Sequence, residues 1–156
     1  MMSDGETIPS VTVTLVDGTT MNLADLSLPA VVYFYPKDDT TGCTREAQAF
    51  SALSDDFAAA GMTVIGVSKD SPARHAKFIA KYDLTVTLAS DENGSVCAAF
   101  GAWVEKSMYG RTYMGIERST FLFGADGVLV RSWRRVRVPG HAAAVLDAAR
   151  ALSVGP

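Results

Sequence analysis

The chain has 156 residues, of which 48% are apolar and 20% are charged, and its formal net charge is −3. These values are close to the averages for soluble globular proteins and exclude a disordered or fibrous chain. The weakly acidic balance gives no overall attraction to nucleic acid, so we expect a small molecule or a protein as the partner. The length fits one domain, and we expect residues 1–156 to form it.

The cysteines and the N-terminal segment restrict the class of protein further. Cys43 and Cys97 are the two cysteines, and their separation of 54 positions matches no zinc-ligand or CxxC spacing. The first ten residues have neither the basic region nor the apolar run of a secretory signal. No apolar run approaches the about 18 residues that a membrane span needs. We therefore expect a cytoplasmic protein that has no membrane partner and binds no metal or cofactor.

The first part of the chain predicts strands that alternate with helices. An Asp17-Gly18 turn between two alternating segments is typical of a β-hairpin. Continuous apolar and β-branched runs predict buried strands, and apolar residues three and four apart predict helices. Ser71-Pro72 supplies an N-cap followed by Pro at the first helical position. The predicted order is a hairpin over 11–23, a strand over 29–35, a helix over about 43–60, a strand over 62–68, a helix from Pro72 to about Tyr82, a strand over 85–88 and a short helix over about 94–100.

The rest of the chain predicts another hairpin and a final helix. Residues 102–118 show no clear periodicity and are interpreted as irregular. Apolar runs over 119–123 and 128–133 flank a Gly-Ala-Asp-Gly turn, and an amphipathic helix follows Pro139-Gly140. Together these elements predict an α/β fold with a mixed central sheet, helices on both faces and an N-terminal β-hairpin.

Cys43 lies where the first buried strand gives way to a helix, among Asp, Thr and Gly residues rather than in an apolar run. In open α/β sheets, ligands bind beyond the carboxyl ends of the strands, where helix N–H groups converge. A thiolate in the first turn of a helix is stabilised by the macrodipole and by those amide donors. We therefore expect Cys43 to be a nucleophile.

Pro36 and Thr40 precede Cys43 and form with it a Pro-x-x-x-Thr-x-x-Cys pattern. The Thr40 hydroxyl can accept a hydrogen bond from a substrate O–H and donate one to the thiolate, because it has one proton and two lone pairs. Pro36 has a fixed φ and no N–H, which would keep the entrance of the loop stiff and partly dry. The pattern indicates a thiol that attacks a polar substrate containing oxygen.

The segment around Cys43 resembles a known motif. It is Tyr-Pro-Lys-Asp-Asp-Thr-Thr-Gly-Cys-Thr-Arg-Glu over residues 35–46, and it is similar to the peroxidatic-cysteine motif of the AhpC/TSA-like peroxiredoxins. Within them it most resembles the bacterioferritin comigratory protein or PrxQ group. The resemblance implies a thioredoxin-like fold and a thiol peroxidase activity. It covers nearly the whole chain and continues through residues 66–84, 88–94, 100–103 and 115–122.

The resemblance also implies a reaction and a cation. In this family the cysteine thiolate attacks the terminal oxygen of hydrogen peroxide or an organic hydroperoxide, which gives water or an alcohol and a sulfenic acid. Cys43 matches this peroxidatic cysteine, and Arg118 matches the arginine beside it. A guanidinium there would stabilise the thiolate and the negative charge on the leaving oxygen. Glu46, one helical turn after Cys43, would be either a solvated charge or a contact of Arg118 or of other loop groups.

Two departures from the family pattern affect the turn and the recycling of the enzyme. Thr41 stands where the family usually has Pro, which removes one conformational restraint. Gln48 stands where many members have a second cysteine, which closes the local resolving route. The resemblance then points to Cys97 as the resolving cysteine, because some PrxQ members place it in the matching helix. An intramolecular disulfide with Cys43 would require both helices to unwind locally, and thioredoxin would reduce it.

Other interpretations stay open at this point. Cys97 is also explained as a buried core thiol, since free cysteine is among the most buried residue types. The Cys43 sulfenic acid would then be reduced directly by an external thiol, as in a single-cysteine peroxidase. A different class of function is a peroxide sensor that acts on a protein partner. We expect a monomer or a weak dimer in each case.

The remaining polar and apolar groups are interpreted mainly as structural. His75 and His141 lack a histidine or carboxylate partner at helical spacing, so we expect them at the surface or in packing. Asp38 and Asp39 are expected as turn residues. The arginines around Trp133 are interpreted as a solvated sheet edge rather than a nucleic-acid site. Four apolar residues near Arg118 in the sequence are expected either to surround a site for alkyl peroxides or to pack in the core: Met108, Tyr109, Tyr113 and Met114.

Overall fold

The computed structural model describes residues 2–153, which contain nine strands and five α-helices. None of these helices has the length and apolar character that a membrane crossing needs. The strands are β1 (Thr12–Leu15), β2 (Thr20–Asn22), β3 (Ala30–Phe34), β4 (Thr63–Ser68), β5 (Thr87–Ser90), β6 (Trp103–Met108), β7 (Arg111–Ile116), β8 (Ser119–Phe123) and β9 (Leu129–Trp133). The helices are α1 (Thr41–Ala52), α2 (Ser54–Ala59), α3 (Pro72–Tyr82), α4 (Ser95–Phe100) and α5 (His141–Ser153).

Seven of the nine described strands form one mixed sheet in the order β2-β1-β5-β4-β3-β8-β9. Strands β3, β4 and β5 run parallel to one another, and the hairpins β1–β2 and β8–β9 extend the sheet in antiparallel fashion on either side. Parallel neighbours need crossover connections, which α1, α2 and α3 supply. The mixed sheet and the N-terminal hairpin predicted from the sequence are therefore confirmed.

The central strand β3 is apolar on both faces, as its continuous apolar run predicts. Val32 and Phe34 belong to one core, which α4 covers, whereas Val31, Tyr33 and Tyr35 belong to the other, which α1, α3 and α5 cover. Successive residues of a strand face opposite sides, so the sheet itself separates the two cores. Each of these five side chains is at most 1% exposed. Burial on this scale contributes about 1.5–3 kcal/mol for each large apolar side chain.

The prediction of one helix over about 43–60 is wrong in one respect, since the chain forms two helices there. Leu53 has ψ 9° and leaves the helical region between α1 and α2. The hydroxyl of Ser51 accepts hydrogen bonds from the backbone N–H groups of residues 85 and 86. The end of α1 is therefore held by a tertiary contact, which the spacing of apolar residues does not encode.

The prediction of an irregular stretch over 102–118 is also wrong, because β6 and β7 form a separate two-stranded sheet. Tyr109 and Gly110 have φ 52° and 76°, and a tight two-residue hairpin turn needs such positive values. Tyr-Gly is not among the residue pairs that mark these turns. Most side chains of the hairpin are exposed, so the strands also lack the alternation that a half-buried strand shows.

Candidate active site

Cys43 lies at the N-terminus of α1, beyond the carboxyl end of β3, as the sequence predicts. Residues 36–40 connect the two elements and are called the 36–40 turn below. The first hydrogen bond of the helix runs from the Thr44 N–H to the Thr40 carbonyl, so the N–H groups just before it are not used by the helix ladder. The thiol is 2% exposed and lies in the core that α1 covers. It is therefore at the positive end of a helix dipole in a largely dry environment.

Arg118 reaches Cys43 from the neighbouring strand. Because β8 pairs with β3 and Ser119 lies opposite Phe34, Arg118 is placed beside the end of β3. Its Nη2 donates to the Cys43 Sγ at 3.3 Å, and its Nη1 donates to the Glu46 Oε1 at 2.7 Å. Burial opposes the charge of the guanidinium, but Glu46 and Cys43 outweigh it and raise the pKa of Arg118. The cation is thus held between two groups that carry or develop negative charge.

Glu46 is 1% exposed and lies on the same face of α1 as Cys43, one turn later. Burial raises the pKa of its carboxyl to about 7, although the contact with Arg118 acts in the opposite direction. Its Oε2 has no hydrogen-bond partner among residues 2–153. Of the two alternatives for Glu46, the structure contains the contact with Arg118, and this contact orients the guanidinium toward the thiol.

Thr40 and Pro36 border the site from the 36–40 turn, and both are exposed. The Thr40 hydroxyl donates to the Lys37 carbonyl at 2.9 Å, so its proton is not directed to the Cys43 thiolate in this conformation. Its lone pairs can still accept a hydrogen bond from a substrate O–H. The exposure of Pro36 differs from the expected partly dry entrance, because the turn runs over the surface at this point.

Gly42 allows the guanidinium to approach the start of α1. A Cβ at this position would be 3.2 Å from the Arg118 Nη2, closer than side chains normally pack. The sequence does not show this constraint, since a glycine before a helical cysteine is also explained by turn chemistry.

Asp38 lies in a turn and His75 is packed in the interior, as expected, but the sequence did not predict that the two side chains meet. The two side chains are 3% and 0% exposed, and the His75 Nδ1 lies 2.6 Å from the Asp38 Oδ2. They come from separate elements 37 positions apart, so a search at helical spacing cannot pair them. A buried polar pair therefore joins the 36–40 turn to α3.

The other residues that the sequence singled out have simpler positions. His141 has the packing role, since it is 7% exposed, lies 2.7 Å from the Thr120 Oγ1 through its Nε2, and has its pKa lowered to about 4 by burial. Trp133 lies on β9, an edge strand, with the Arg131 guanidinium over its ring, as expected for a sheet edge. Core packing is excluded for four apolar residues of the β6–β7 hairpin, because they are exposed: Met108, Tyr109, Tyr113 and Met114.

The fold does not bring Cys97 to Cys43. Cys97 lies in α4 and is 0% exposed, in the core with Val32 and Phe34 on the opposite side of the sheet from Cys43. Its backbone N–H donates to the Asp91 carboxylate at 2.8 Å. Burial raises the pKa of the Cys97 thiol, and Asp91 adds to this effect. A thiol in this environment is a poor nucleophile while the chain is folded.

Comparison with known proteins agrees with this geometry. The model of the AhpC/TSA family matches residues 5–132. The chain belongs to the AhpC/TSA family. A putative peroxiredoxin bcp of Coxiella burnetii is 43% identical over 143 residues, which are 91% of this chain and 95% of the relative. The peroxiredoxin Bcp of Xanthomonas campestris pv. campestris is 50% identical over 121 residues, or 78% and 76% of the two chains.

Solved structures of peroxiredoxins superimpose closely on this one. The bacterioferritin comigratory protein of Xanthomonas campestris, studied for its alkyl peroxide reduction as a trapped intermediate and ligand complex, has a TM-score of 0.86 with 44% identity over 92% of both chains. A cysteine-to-serine mutant of Xylella fastidiosa PrxQ has a TM-score of 0.90 with 40% identity over 97% of both chains. The thioredoxin-like fold and the Bcp/PrxQ type of peroxiredoxin are therefore confirmed.

Proposed function

We propose that this peroxiredoxin reduces hydrogen peroxide and organic hydroperoxides through the thiolate of Cys43. The sulfur attacks the terminal peroxide oxygen, so that an S–O bond forms as the O–O bond breaks. The leaving oxygen takes a proton and departs as water or an alcohol, while the sulfur loses two electrons and becomes a sulfenic acid. The observation that carries the proposal is the 3.3 Å contact between the Arg118 Nη2 and the Cys43 Sγ at the start of α1.

Each neighbour of Cys43 has a separate task in this step. Arg118 stabilises the thiolate before attack and the negative charge on the leaving oxygen during it, because its fork of donors faces the site. Glu46 holds the other side of that fork through the 2.7 Å contact with Nη1. Thr40 accepts the peroxide O–H with its free lone pairs, and Pro36 keeps the 36–40 turn in place.

The geometry favours an external thiol for reduction of the sulfenic acid. Cys43 and Cys97 belong to cores on opposite sides of the sheet, so the disulfide predicted between them would need α4 and the first turn of α1 to open. The buried Cys97 thiol also has a raised pKa, which lowers its thiolate fraction. A dithiol protein such as thioredoxin, in the reducing cytoplasm, is the proposed reductant of a monomeric enzyme. Resolution by Cys97 stays the competing prediction.

Stopped-flow measurement of peroxide reduction tests the first part of the proposal. The wild type and Cys97→Ser are expected to become oxidised at similar rates in a single turnover, because Cys97 does not contact the reacting thiol. Cys43→Ser is expected to lose the reaction entirely. Wild-type peroxide consumption by Cys43→Ser would overturn the proposal.

Mass spectrometry after one equivalent of peroxide separates the two recycling routes. Direct reduction predicts a persistent sulfenic acid on Cys43, which a trapping reagent such as a cyclic diketone would label in full. Resolution by Cys97 predicts instead a loss of two hydrogens and a peptide that links the two cysteines. Cys97→Ser is the matched variant, since it must keep the sulfenic acid under either route.

A further inference from the structure

The 36–40 turn is anchored to α3 by two consecutive carboxylates. The outer one, Asp39, has φ 61°, in the left-handed region that a residue with a side chain rarely adopts. Its carboxylate accepts hydrogen bonds from the Lys81 Nζ at 2.8 Å and from the Tyr82 hydroxyl. These groups are largely exposed, so the outer anchor is screened by solvent.

The inner carboxylate, Asp38, is 3% exposed, and both of its carboxylate oxygens and its backbone N–H have polar partners. Its Oδ1 accepts from the Tyr35 hydroxyl at 2.6 Å, and its Oδ2 lies 2.6 Å from the His75 Nδ1. Its backbone N–H donates to the Asp70 Oδ2 at 2.9 Å. Burial raises the pKa of Tyr35 well above its ordinary value, so the phenol keeps its proton and donates it. Asp38 therefore joins the end of β3 to α3 and to the segment before it.

His75 is held from both sides of its ring. Its Nε2 lies 3.0 Å from the Ala89 carbonyl, which can only accept, so this nitrogen carries a proton. Its Nδ1 lies 2.6 Å from the Asp38 Oδ2 and 3.3 Å from the Tyr35 hydroxyl. Both ring nitrogens therefore have polar partners at a fully buried position. Removal of Asp38 or His75 leaves the other side chain buried without this hydrogen-bond partner, which is costly.

The buried pair is connected to the reacting thiol through the backbone. Asp38 fixes the middle of the 36–40 turn, and the Lys37 carbonyl beside it accepts the Thr40 hydroxyl at 2.9 Å. The Thr40 carbonyl in turn accepts the first helical hydrogen bond of α1, from the Thr44 N–H at 2.8 Å. A shift of Asp38 would therefore move Thr40 and the first turn of α1 together.

We infer that Asp38 and His75 are positioning residues for the peroxide reaction: their buried pair sets the 36–40 turn so that Thr40 and Cys43 are aligned on the same peroxide. The inference rests on the proposed function of Cys43. Loss of the pair should slow the attack on peroxide, because this reaction needs Thr40, Cys43 and the peroxide in fixed relative positions. A reaction that needs only the Cys43 thiolate should depend much less on the pair.

Two reactions of the same thiol test this inference. Asp38→Asn, His75→Gln and the double variant are reacted with hydrogen peroxide in a single turnover and, separately, with iodoacetamide, which requires no alignment with Thr40. The ratio of the two rate constants is expected to fall by about 10-fold to 100-fold in each variant, since small misplacements of reacting groups have effects of this size. The double variant should lose little more than either single one, because the two residues act as a unit.

Asp91→Asn is the matched control. Asp91 is also a buried carboxylate, 2% exposed, and it accepts from the N–H groups of Val96 and Cys97 on the other side of the sheet. This variant is expected to lose stability in urea but to keep the wild-type ratio of the two rate constants. If the Asp38–His75 pair contributed to stability alone, its variants would behave like Asp91→Asn and keep the wild-type ratio of the two rate constants. That result would overturn the inference.

Tyr35→Phe keeps the inference testable if the Asp38 and His75 variants do not fold. It removes the hydroxyl that contacts Asp38 and His75 and leaves the Asp38–His75 contact, so a smaller fall of the ratio, of about threefold to tenfold, is expected. An unchanged ratio in folded Tyr35→Phe, with Asp38→Asn unfolded, would also overturn the inference. The proposed function fails separately, if Cys43→Ser still consumes peroxide.

Discussion

At the residue scale, the site depends on one guanidinium placed between a thiol and a carboxyl group. Arg118 donates to the Cys43 Sγ and to the Glu46 Oε1, and its side chain is 17% exposed. A lysine could not make both contacts with a fixed geometry, since its ammonium is a point charge on a flexible stem. Glu46 is unusual in this site, because its buried carboxylate is stabilised mainly by the Arg118 guanidinium.

Glu46 predicts a pH dependence of stability. Its pKa is about 7 in the folded chain against 4.5 as the ordinary value, so the folded state favours the protonated carboxyl. Stability is therefore fully present below about pH 4.5 and falls as the pH rises to about 7, by at most about 3 kcal/mol. Glu46→Gln cannot ionise and should show a flatter profile in urea unfolding over this range. Asp55→Asn, which changes an exposed carboxylate of α2, is the control. Parallel profiles for wild type and Glu46→Gln would contradict this account.

At the element scale, the site forms where the N-terminus of α1 meets the start of β8. The antiparallel pairing of β3 with β8 places Arg118 there, and Gly42 leaves space for its guanidinium. Helix propensity and site geometry therefore conflict at position 42. Alanine would favour the helix, but its Cβ would lie 3.2 Å from the Arg118 Nη2.

Gly42→Ala is expected to separate stability from activity. The free energy of unfolding should stay constant or rise, by up to about 1 kcal/mol, because alanine is the better helix former. The rate constant for peroxide in a single turnover should fall by about tenfold or more, because the guanidinium is pushed away from the thiol. Urea unfolding and stopped-flow oxidation measure the two effects. Thr41→Ala, one residue earlier and exposed, should leave the rate unchanged, and an unchanged rate in Gly42→Ala would refute the role of this contact.

At the scale of the whole molecule, the central sheet divides the apolar interior into two cores. Cys43 belongs to the core under α1, and Cys97 belongs to the core under α4. Both thiols are buried, at 2% and 0% exposed, so each becomes accessible only when the structure around it opens. Cys43 lies in the first turn of α1, beside exposed residues of the 36–40 turn, where local opening costs little free energy, whereas core elements open with free energies close to that of global unfolding. The two thiols should therefore differ sharply in reactivity.

Thiol labelling under native conditions measures this difference. Cys43 should react with a small disulfide reagent quickly and with little dependence on urea, because only the first turn of α1 has to open. Cys97 should react slowly, and its labelling rate should rise with urea with the slope of global unfolding. Cys43→Ser provides the signal of Cys97 alone. Fast labelling of Cys97 that does not depend on urea would instead show local opening of α4, and would favour its resolving role.

Local patterns in the sequence were sufficient for much of the fold and for the reacting residue. The hairpin at Asp17-Gly18, the buried strand β3 and the helix after it follow from turn chemistry and periodicity within about ten residues. The same short range contains Pro36, Thr40 and Cys43, so the sequence itself identifies the thiol. Where local signals were absent, as in the exposed β6–β7 hairpin, the prediction was wrong. That residues 1–156 form one domain stays a prediction.

The tertiary structure decided which distant groups meet. Strand pairing brings Arg118 to Cys43, a pairing that only family resemblance suggested beforehand, and the packing of α3 brings His75 to Asp38. The sheet also separates Cys97 from Cys43, whereas the family resemblance pointed to a disulfide between them. The physical reason is the same in each case: strand register and the two faces of a sheet set these distances, and neither is encoded in residue spacing along the chain.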